Sequence, residues 1–308
     1  MRTIVPPIKI NGIKTKMIFW IRDLCDFSNT KDGVWIEPFM GSGCVGFNMK
    51  YKNAIMNDIN PHIVKFYDDI KNKIITTEAV GLYLKEEGEK LLNSGDDGYE
   101  HYRFIRDRFN NDHGSLDFLF LSRTGFNGMM RFNSKGRWNV PFCQKPDRFR
   151  REHVTRIVNQ VRDVSAIITD DWRFYNKDFR EIILLANEND LVYVDPPYFG
   201  KFDNYFNSGW SEKDEKDLFD LLDNSKSKFI MSTWHHDAVH TNPMIGKYWN
   251  KFNVFTCDHF YHLAGNADNR HSVVEALICN FDAEMEQHNH GREIIEQYDL
   301  GLDFNDKQ

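Results

Sequence analysis

Seven short runs rich in β-branched and aromatic residues, each bounded by turn formers, punctuate the chain at 34-38 (VWIEP), 53-57 (NAIMN), 172-176 (WRFYN), 190-195 (DLVYVD), 227-232 (SKFIMS), 251-257 (KFNVFTC) and 272-280 (SVVEALICN). Such runs read as strands, and together they suggest one sheet. Several alternate with helix-like stretches such as 61-70 and 212-224. That alternation is the pattern of an α/β fold with a mainly parallel sheet, whose ligand site lies at the strand ends.

The spacing is uneven. The second and third runs, at 53-57 and 172-176, are more than a hundred residues apart, and the text between them is helical and amphipathic at 78-93, 99-111 and 151-167. We therefore expect a mostly helical domain at 61-167 inserted into a discontinuous α/β domain made of 1-60 and 168-281. Beyond it, 282-308 holds eight acidic and two basic residues and reads as a solvated tail, helical at HGREIIEQY.

Hydrophobic residues at 41% and charged residues at 28% of 308 fit a folded core and exclude a disordered or collagen-like chain. The five cysteines (Cys25, Cys44, Cys143, Cys257, Cys279) are scattered and never form CxxC, so neither a disulfide framework nor a metal site is expected. MRTIVPPIKINGIKTK lacks an apolar signal core, and no apolar run approaches the roughly 20 residues of a membrane span, so a cytoplasmic protein is expected. The net charge of -7 speaks against a polyanionic partner only until its distribution is considered. From Ser122 to Arg151 the chain carries Arg123, Arg131, Lys135, Arg137, Lys145, Arg148, Arg150 and Arg151 against Asp147 alone, and phosphate responds to that local field.

After VWIEP comes Phe39-Met40-Gly41-Ser42-Gly43-Cys44-Val45-Gly46, a GxGxxG match between strand and helix. Its glycines allow a ligand close to the backbone, and the next helix is expected to offer free N–H groups. Asp58, after the second run, is placed to accept hydrogen bonds from ribose hydroxyls. Nicotinamide dinucleotides and S-adenosylmethionine both carry that ribose, and a tight turn with no ligand has the same glycines.

In DLVYVDPPY an acid, two prolines and an aromatic ring follow a buried strand. Two prolines cannot donate ladder bonds, so the strand must stop there. The unit Asp195-Pro196-Pro197-Tyr198 suits methylation of an exocyclic amine, a poor nucleophile because its lone pair is delocalised into the ring. The Asp195 carboxylate and the Pro196 carbonyl can accept its two N–H bonds and favour a pyramidal nitrogen, while Tyr198 stacks on the base. In duplex DNA that amine is paired, so the base must first flip out.

These motifs resemble the alpha-class (Dam-like) DNA adenine methyltransferases over nearly all of residues 1-281. The resemblance is carried by PPIKINGIKTK, EPFMGSG, NDIN, SRTGFNGMMRFNSKGRWNVPF, DPPY and HFYHL...NRHSVVEALICN. It is strongest to the EcoRV-type modification methyltransferases, which implies adenine methylation within GATATC and a cognate endonuclease that shares the site without a stable complex. It further implies a Rossmann-like S-adenosylmethionine-dependent methyltransferase fold with a seven-stranded mixed sheet and an inserted target-recognition domain. The protein is then a monomer of bacterial or viral origin that uses S-adenosyl-L-methionine and double-stranded DNA. The family's cofactor residues fall on Ile10, where relatives often carry an aromatic, and on Lys14, Phe39, Gly41, Gly43, Asp58, Asp178, Phe179 and Asp195. Lys14 is expected at the cofactor's carboxylate, and Asp178 with Phe179 at its adenine, although Lys14 also fits a merely basic stretch and Asp178 a helix N-cap.

The block SRTGFNGMMRFNSKGRWNVPF interleaves arginine, asparagine, aromatic and glycine residues. By the same resemblance Arg123 clamps phosphate, Phe126 enters the stack beside the flipped base, and Asn127, Arg131 and Asn133 lie near base edges. Lys135 and Arg137 add charge, and Arg131 can bond guanine at O6 and N7. A solvated hairpin rich in glycine and asparagine has the same composition. Three other functions remain open: amino methylation of RNA, cytosine or glutamine, where Asn or Ser more often stands for Asp195; a dinucleotide oxidoreductase, which has no use for DPPY; and a silent DNA-binding protein, which has no use for Asp195.

Overall fold

The structure is a computed structural model that describes residues 2–200, 209–259 and 273–283, with the backbone alone at 257–259. The expected tail beyond residue 283 and most of the HFYHL segment lie outside the described residues. In chain order the elements are α1 (Ile18–Ser28), β1 (Val34–Glu37), α2 (Gly46–Met49), β2 (Asn53–Asn57), α3 (Pro61–Lys71), α4 (Thr77–Leu92), α5 (Tyr99–Asp112), α6 (Ser115–Thr124), α7 (Arg151–Ser165) and β3 (Trp172–Tyr175). There follow α8 (Phe179–Ile183), β4 (Leu191–Val194), α9 (Glu212–Asn224), β5 (Lys228–His236), α10 (Pro243–Lys247), β6 (Asn253–His259) and β7 (Val273–Cys279).

The seven strands make one Rossmann-like sheet in the order β3-β2-β1-β4-β5-β7-β6. From β3 to β5 every pairing is parallel, while β7 runs antiparallel between β5 and β6. The single, mainly parallel sheet expected from the strand runs is therefore present, and it is mixed and seven-stranded as the resemblance implies. β5 continues to His236, past the run expected to end at 232, because its last residues still pair with β7 across an irregularity between Trp234 and His236. The chain leaves β1 toward β2 and β3 on one side and resumes at β4 on the other. The switch between β1 and β4 puts a crevice at their C-terminal ends, where open α/β sheets bind ligands.

Alternate side chains fill the two faces. Trp35, Leu191, Tyr193, Ile230 and Leu277 belong to one core cluster, and Ile36, Val192, Val194, Phe229, Met231, Ala276 and Ile278 to the other. All of β4 is buried, as a strand covered on both faces must be. Burying each such large apolar side chain stabilises the fold by roughly 1.5–3 kcal/mol.

Between β2 and β3 lie α3 to α7 and an irregular hairpin. α3 begins with Pro61 after Asn60, whose side chain accepts the His62 N–H, a standard helix start. It lies against the sheet: Tyr67 stacks on Phe174 at 6.2 Å, and Lys71 donates to the Trp172 carbonyl at 2.7 Å. The first core cluster runs on without a break into α4, α5, α6 and α7. Cys25, Cys44, Cys143 and Cys279 carry free thiols. Among the described residues no helix is long and apolar enough to cross a membrane.

Candidate active site

The loop after β1 depends on two left-handed glycines, Gly41 at φ +48° and Gly43 at φ +73°. A Cβ on Gly43 would run into the Phe47 ring, whereas one on Gly41 would meet nothing within 4 Å, which leaves open space above that residue. Asp58, just past β2, accepts the Gly41 N–H at Oδ2 and the Asn60 N–H at Oδ1, both at 2.8 Å. Burial outweighs those two bonds and lifts its carboxyl to about 6. The following helix, α2, is a single turn, and the N–H groups of Met40, Gly43 and Phe47 already donate to the Asn57, Met40 and Gly43 carbonyls. Much of the N–H supply expected at the helix N-terminus after GxGxxG is thus used within the loop itself. The Asp58 carboxylate and the space above Gly41 are what it presents.

At the end of β4 the two prolines stop the strand, and Asp195 emerges beside the loop. Its Oδ2 pairs with Lys14 Nζ at 2.9 Å, and its Oδ1 accepts from Ser232 Oγ at 2.9 Å. Lys14 is only 5% exposed and also donates to the Gly12 carbonyl at 3.2 Å, with its ammonium 5.2 Å from the Tyr198 ring centroid. The chain N-terminal to α1 therefore meets Asp195 and Tyr198 through one lysine, whose ammonium sits on the candidate catalytic carboxylate. Trp234 Nε1 donates to the Phe199 carbonyl at 3.3 Å and ties the segment after the prolines to β5. Behind the site, buried Glu37 accepts from Trp35 Nε1 at 2.8 Å, and burial raises its carboxyl to about 8.

Phe39 and Phe179 come together at 5.2 Å, joined by Trp210 at 5.6 and 5.4 Å. Asp178 caps α8 by accepting the Arg180 N–H at 2.9 Å, and its carboxylate pairs with the Arg180 guanidinium, which lies 4.3 Å from the Phe179 ring centroid. Its N-cap role is thus realised. Ile10 packs half-buried against the first core cluster. The rings, Asp58 and the glycine loop form an acceptor and stacking set that fits an adenosyl group: a carboxylate for hydroxyls, apolar faces for a base, and a backbone approached where Gly41 has no side chain. Ser232 and Trp210 were not among the candidates drawn from sequence.

The basic block folds as an irregular hairpin with bridges Gly125 to Phe142 and Phe132 to Trp138. Phe126 is 47% exposed, Asn127 is exposed at φ +51°, and Lys135 and Arg137 are exposed. Arg131 donates Nε to Asn139 Oδ1 at 2.9 Å and Nη2 to the Asn139 carbonyl at 3.0 Å, using two of its five N–H bonds. Asn133 Oδ1 accepts the N–H groups of Lys135 and Arg137, so that oxygen shapes the turn. Arg123 stands apart. On the last turn of α6 it donates Nε to the Pro7 carbonyl at 2.6 Å and Nη2 to Gln160 Oε1 at 2.5 Å, and burial lowers its pKa to about 10. Both groups point into protein. Lys9, which no sequence argument singled out, lies at the hairpin's flank: the Asn11 N–H donates to the Gly128 carbonyl at 3.2 Å, and burial, then Arg148 and Arg123, lower the Lys9 pKa to about 8.

Comparison with known proteins bears on both regions. The sequence profile described as D12 class N6 adenine-specific DNA methyltransferase matches residues 11–263. A "DNA adenine methylase" of Vibrio cholerae is 28% identical over 220 residues, covering 67% of this chain and 73% of that one. "Type II methyltransferase M1.LlaDCHI" of Lactococcus lactis subsp. cremoris is 24% identical over 262 residues, covering 80% and 86%. A "DNA N-6-adenine-methyltransferase" of Escherichia phage P1 is 28% identical over 238 residues, covering 69% of this chain and 29% of the phage protein.

Proposed function

Since the chain belongs to the D12 class N6 adenine-specific DNA methyltransferase family, we propose that it transfers a methyl group from S-adenosylmethionine to the N6 amine of an adenine flipped out of duplex DNA. The observation that carries this reading is Asp195, held at both oxygens where β4 ends, beside the glycine loop of β1 at the sheet's switch point. Each carboxylate oxygen keeps a further lone pair, so Asp195 can still accept an amine N–H, with the Pro196 carbonyl taking the second. S-adenosylmethionine, when bound, supplies the methyl as an electrophilic sulfonium. Asp58 would accept its ribose hydroxyls, and Phe39 and Phe179 with Trp210 would flank its adenine. Lys14 holds Asp195 in place and lies where a carboxylate of the cofactor could share its charge. Tyr198 would stack on the target base.

In this reading residues 61–167, with the exposed hairpin at their centre, recognise the duplex. Phe126 enters the base stack, Asn127 and Arg131 reach base edges, and Lys135 and Arg137 meet phosphate. Relatives named as type II methyltransferases support a modification role. We assign the protein to such a system as a monomer, with GATATC as the site implied by the EcoRV-type resemblance and with an endonuclease that shares the site but forms no stable complex. The test is to incubate the full chain with S-adenosylmethionine and random duplex DNA and to map methylated bases by single-molecule sequencing. N6-methyladenine confined to one short motif is expected. Methylated cytosine, or adenine methylated without sequence preference, would overturn the proposal.

A further inference from the structure

We propose that Ser232 and Tyr193 form a two-hydroxyl relay that positions Asp195 for methyl transfer, with Tyr193 acting only through Ser232. The inference rests on the function proposed above. β4 and β5 pair in parallel with Tyr193 opposite Ile230 and Val194 opposite Met231. One further step of that register brings Ser232 beside Asp195, so Tyr193, Asp195 and Ser232 share one face of the sheet. On that face Ser232 Oγ donates to Asp195 Oδ1 at 2.9 Å and lies 2.8 Å from the Tyr193 hydroxyl. A serine hydroxyl has one hydrogen. With it committed to the carboxylate, the second contact must be a bond that Tyr193 donates and Ser232 accepts.

The outer member is rigid. Tyr193 is fully buried, and its ring stacks on Trp35 at 5.6 Å with 17° between the planes. Burial, and then the negative charge of Asp195, raise its pKa well above the ordinary phenol value, so it stays a donor at any working pH. Lys14 grips Oδ2 and the relay grips Oδ1, which fixes the rotation of the carboxylate about its Cβ–Cγ bond. Without Ser232 the group is free to turn toward Lys14, and its remaining lone pairs no longer face one amine position. Ser232 and Tyr193 touch no substrate in this scheme and are positioning residues.

The test compares Ser232→Ala, Ser232→Thr, Tyr193→Phe and the Ser232→Ala/Tyr193→Phe double variant of the full chain. It measures single-turnover adenine methylation, S-adenosylmethionine affinity by calorimetry, and melting temperature. Ser232→Ala should slow methyl transfer by at least about tenfold with cofactor affinity within about twofold of the parent. Tyr193→Phe should slow transfer by about threefold, and the double variant should be no slower than Ser232→Ala, since the outer member has nothing left to act on. Ser232→Thr should recover to within about threefold of the parent because it retains the hydroxyl. An unchanged rate in Ser232→Ala, or a Ser232→Thr no faster than Ser232→Ala, would reduce the relay to packing, and multiplying effects in the double variant would remove Tyr193 from it. Should Ser232→Ala fail to fold, Tyr193→Phe decides alone: a parental rate overturns the proposal. A parent chain that methylates no adenine in this assay overturns the functional reading, and the relay with it.

Discussion

The crevice at β1 and β4 and the hairpin at 124–143 are built on opposite terms. In the crevice the functional side chains are half-buried and already bonded, Asp195 to Lys14 and Ser232 and Asp58 to two backbone N–H groups. In the hairpin Phe126, Asn127, Lys135 and Arg137 are exposed, and the bonds made by Arg131 and Asn133 hold the loop to itself. Charge that develops during a reaction is best met by groups fixed beforehand. A reading surface must leave its donors open for phosphates and base edges. Substitutions in the crevice should therefore lose rate or cofactor, and substitutions in the hairpin should lose discrimination.

The sharpest break in that comparison is Asp195→Ala. It removes an acceptor for the target amine and should slow methyl transfer by at least about 100-fold. Taking the carboxylate from the buried Lys14 ammonium should lower the melting temperature as well. Single-turnover methylation and a thermal melt check both, and a rate within about tenfold of the parent would sink the catalytic assignment.

Next in size is Asp58→Ala, expected to weaken S-adenosylmethionine binding by roughly tenfold or more while leaving cofactor-free DNA binding unchanged. The pH dependence has a definite sign. The carboxyl is lifted by burial to about 6 from an ordinary value of 3.8, so the cofactor-free protein holds this proton more tightly than the unfolded chain and loses stability as pH rises from 3.8 to 6. A ligand that donates hydroxyl hydrogens to the carboxylate favours the ionised form, so affinity should rise with pH through about 6 and level off above it. Calorimetry at several pH values checks this, and a profile in Asp58→Asn as steep as the parent's would exclude Asp58 as its source.

In the hairpin, Arg131→Ala should cost about 1–3 kcal/mol on the methylatable duplex and far less on duplexes altered at the base it reads. Asn139 already holds one edge of the guanidinium, so the side chain is aimed before DNA arrives. Binding with S-adenosylhomocysteine present, on the proper duplex and on single-base variants, gives the ratio to watch. An unchanged ratio would move Arg131 to the phosphate contacts.

The two regions also differed in how far they could be read in advance. The strands were legible because runs of β-branched and aromatic residues bounded by turn formers fit a pleated surface, and the end of β4 because two prolines cannot continue a ladder. Ser232 and Trp210 were not. Ser232 reaches Asp195 only through the register of two strands 37 residues apart, and Trp210 meets Phe39 and Phe179 only by packing. No local spacing encodes either contact. The N–H groups expected free after the glycines are partly spent because α2 is one turn long and the Gly43 and Phe47 N–H groups bond within its loop. In the basic block, charge density along the chain treats a helix residue and a loop residue alike. Arg123 follows buried Ser122 on α6 and turns inward, while Lys135 sits at an exposed turn.

That contrast supplies the smallest and most discriminating test. A phosphate contact releases counterions, so losing one weakens binding to all sequences alike and reduces the salt slope by about one unit. Lys135→Ala should behave this way. Arg123 was expected from the sequence to do the same, but its Nε and Nη2 are bound to Pro7 and Gln160. Arg123→Ala should instead leave the salt slope unchanged and release the segment before α1 from α7. Leaving those acceptors unmatched should lower stability by about 1–2 kcal/mol, a drop of a few degrees in a chain of this size. Because that segment also carries Lys14 to Asp195, the loosening should appear as slower methyl transfer before it appears in DNA affinity. Binding across a salt series together with a melt separates the two variants. A slope reduced by one unit in Arg123→Ala, with melting unchanged, would return Arg123 to the DNA surface and place the boundary between buried framework and open reading surface one turn of α6 further in.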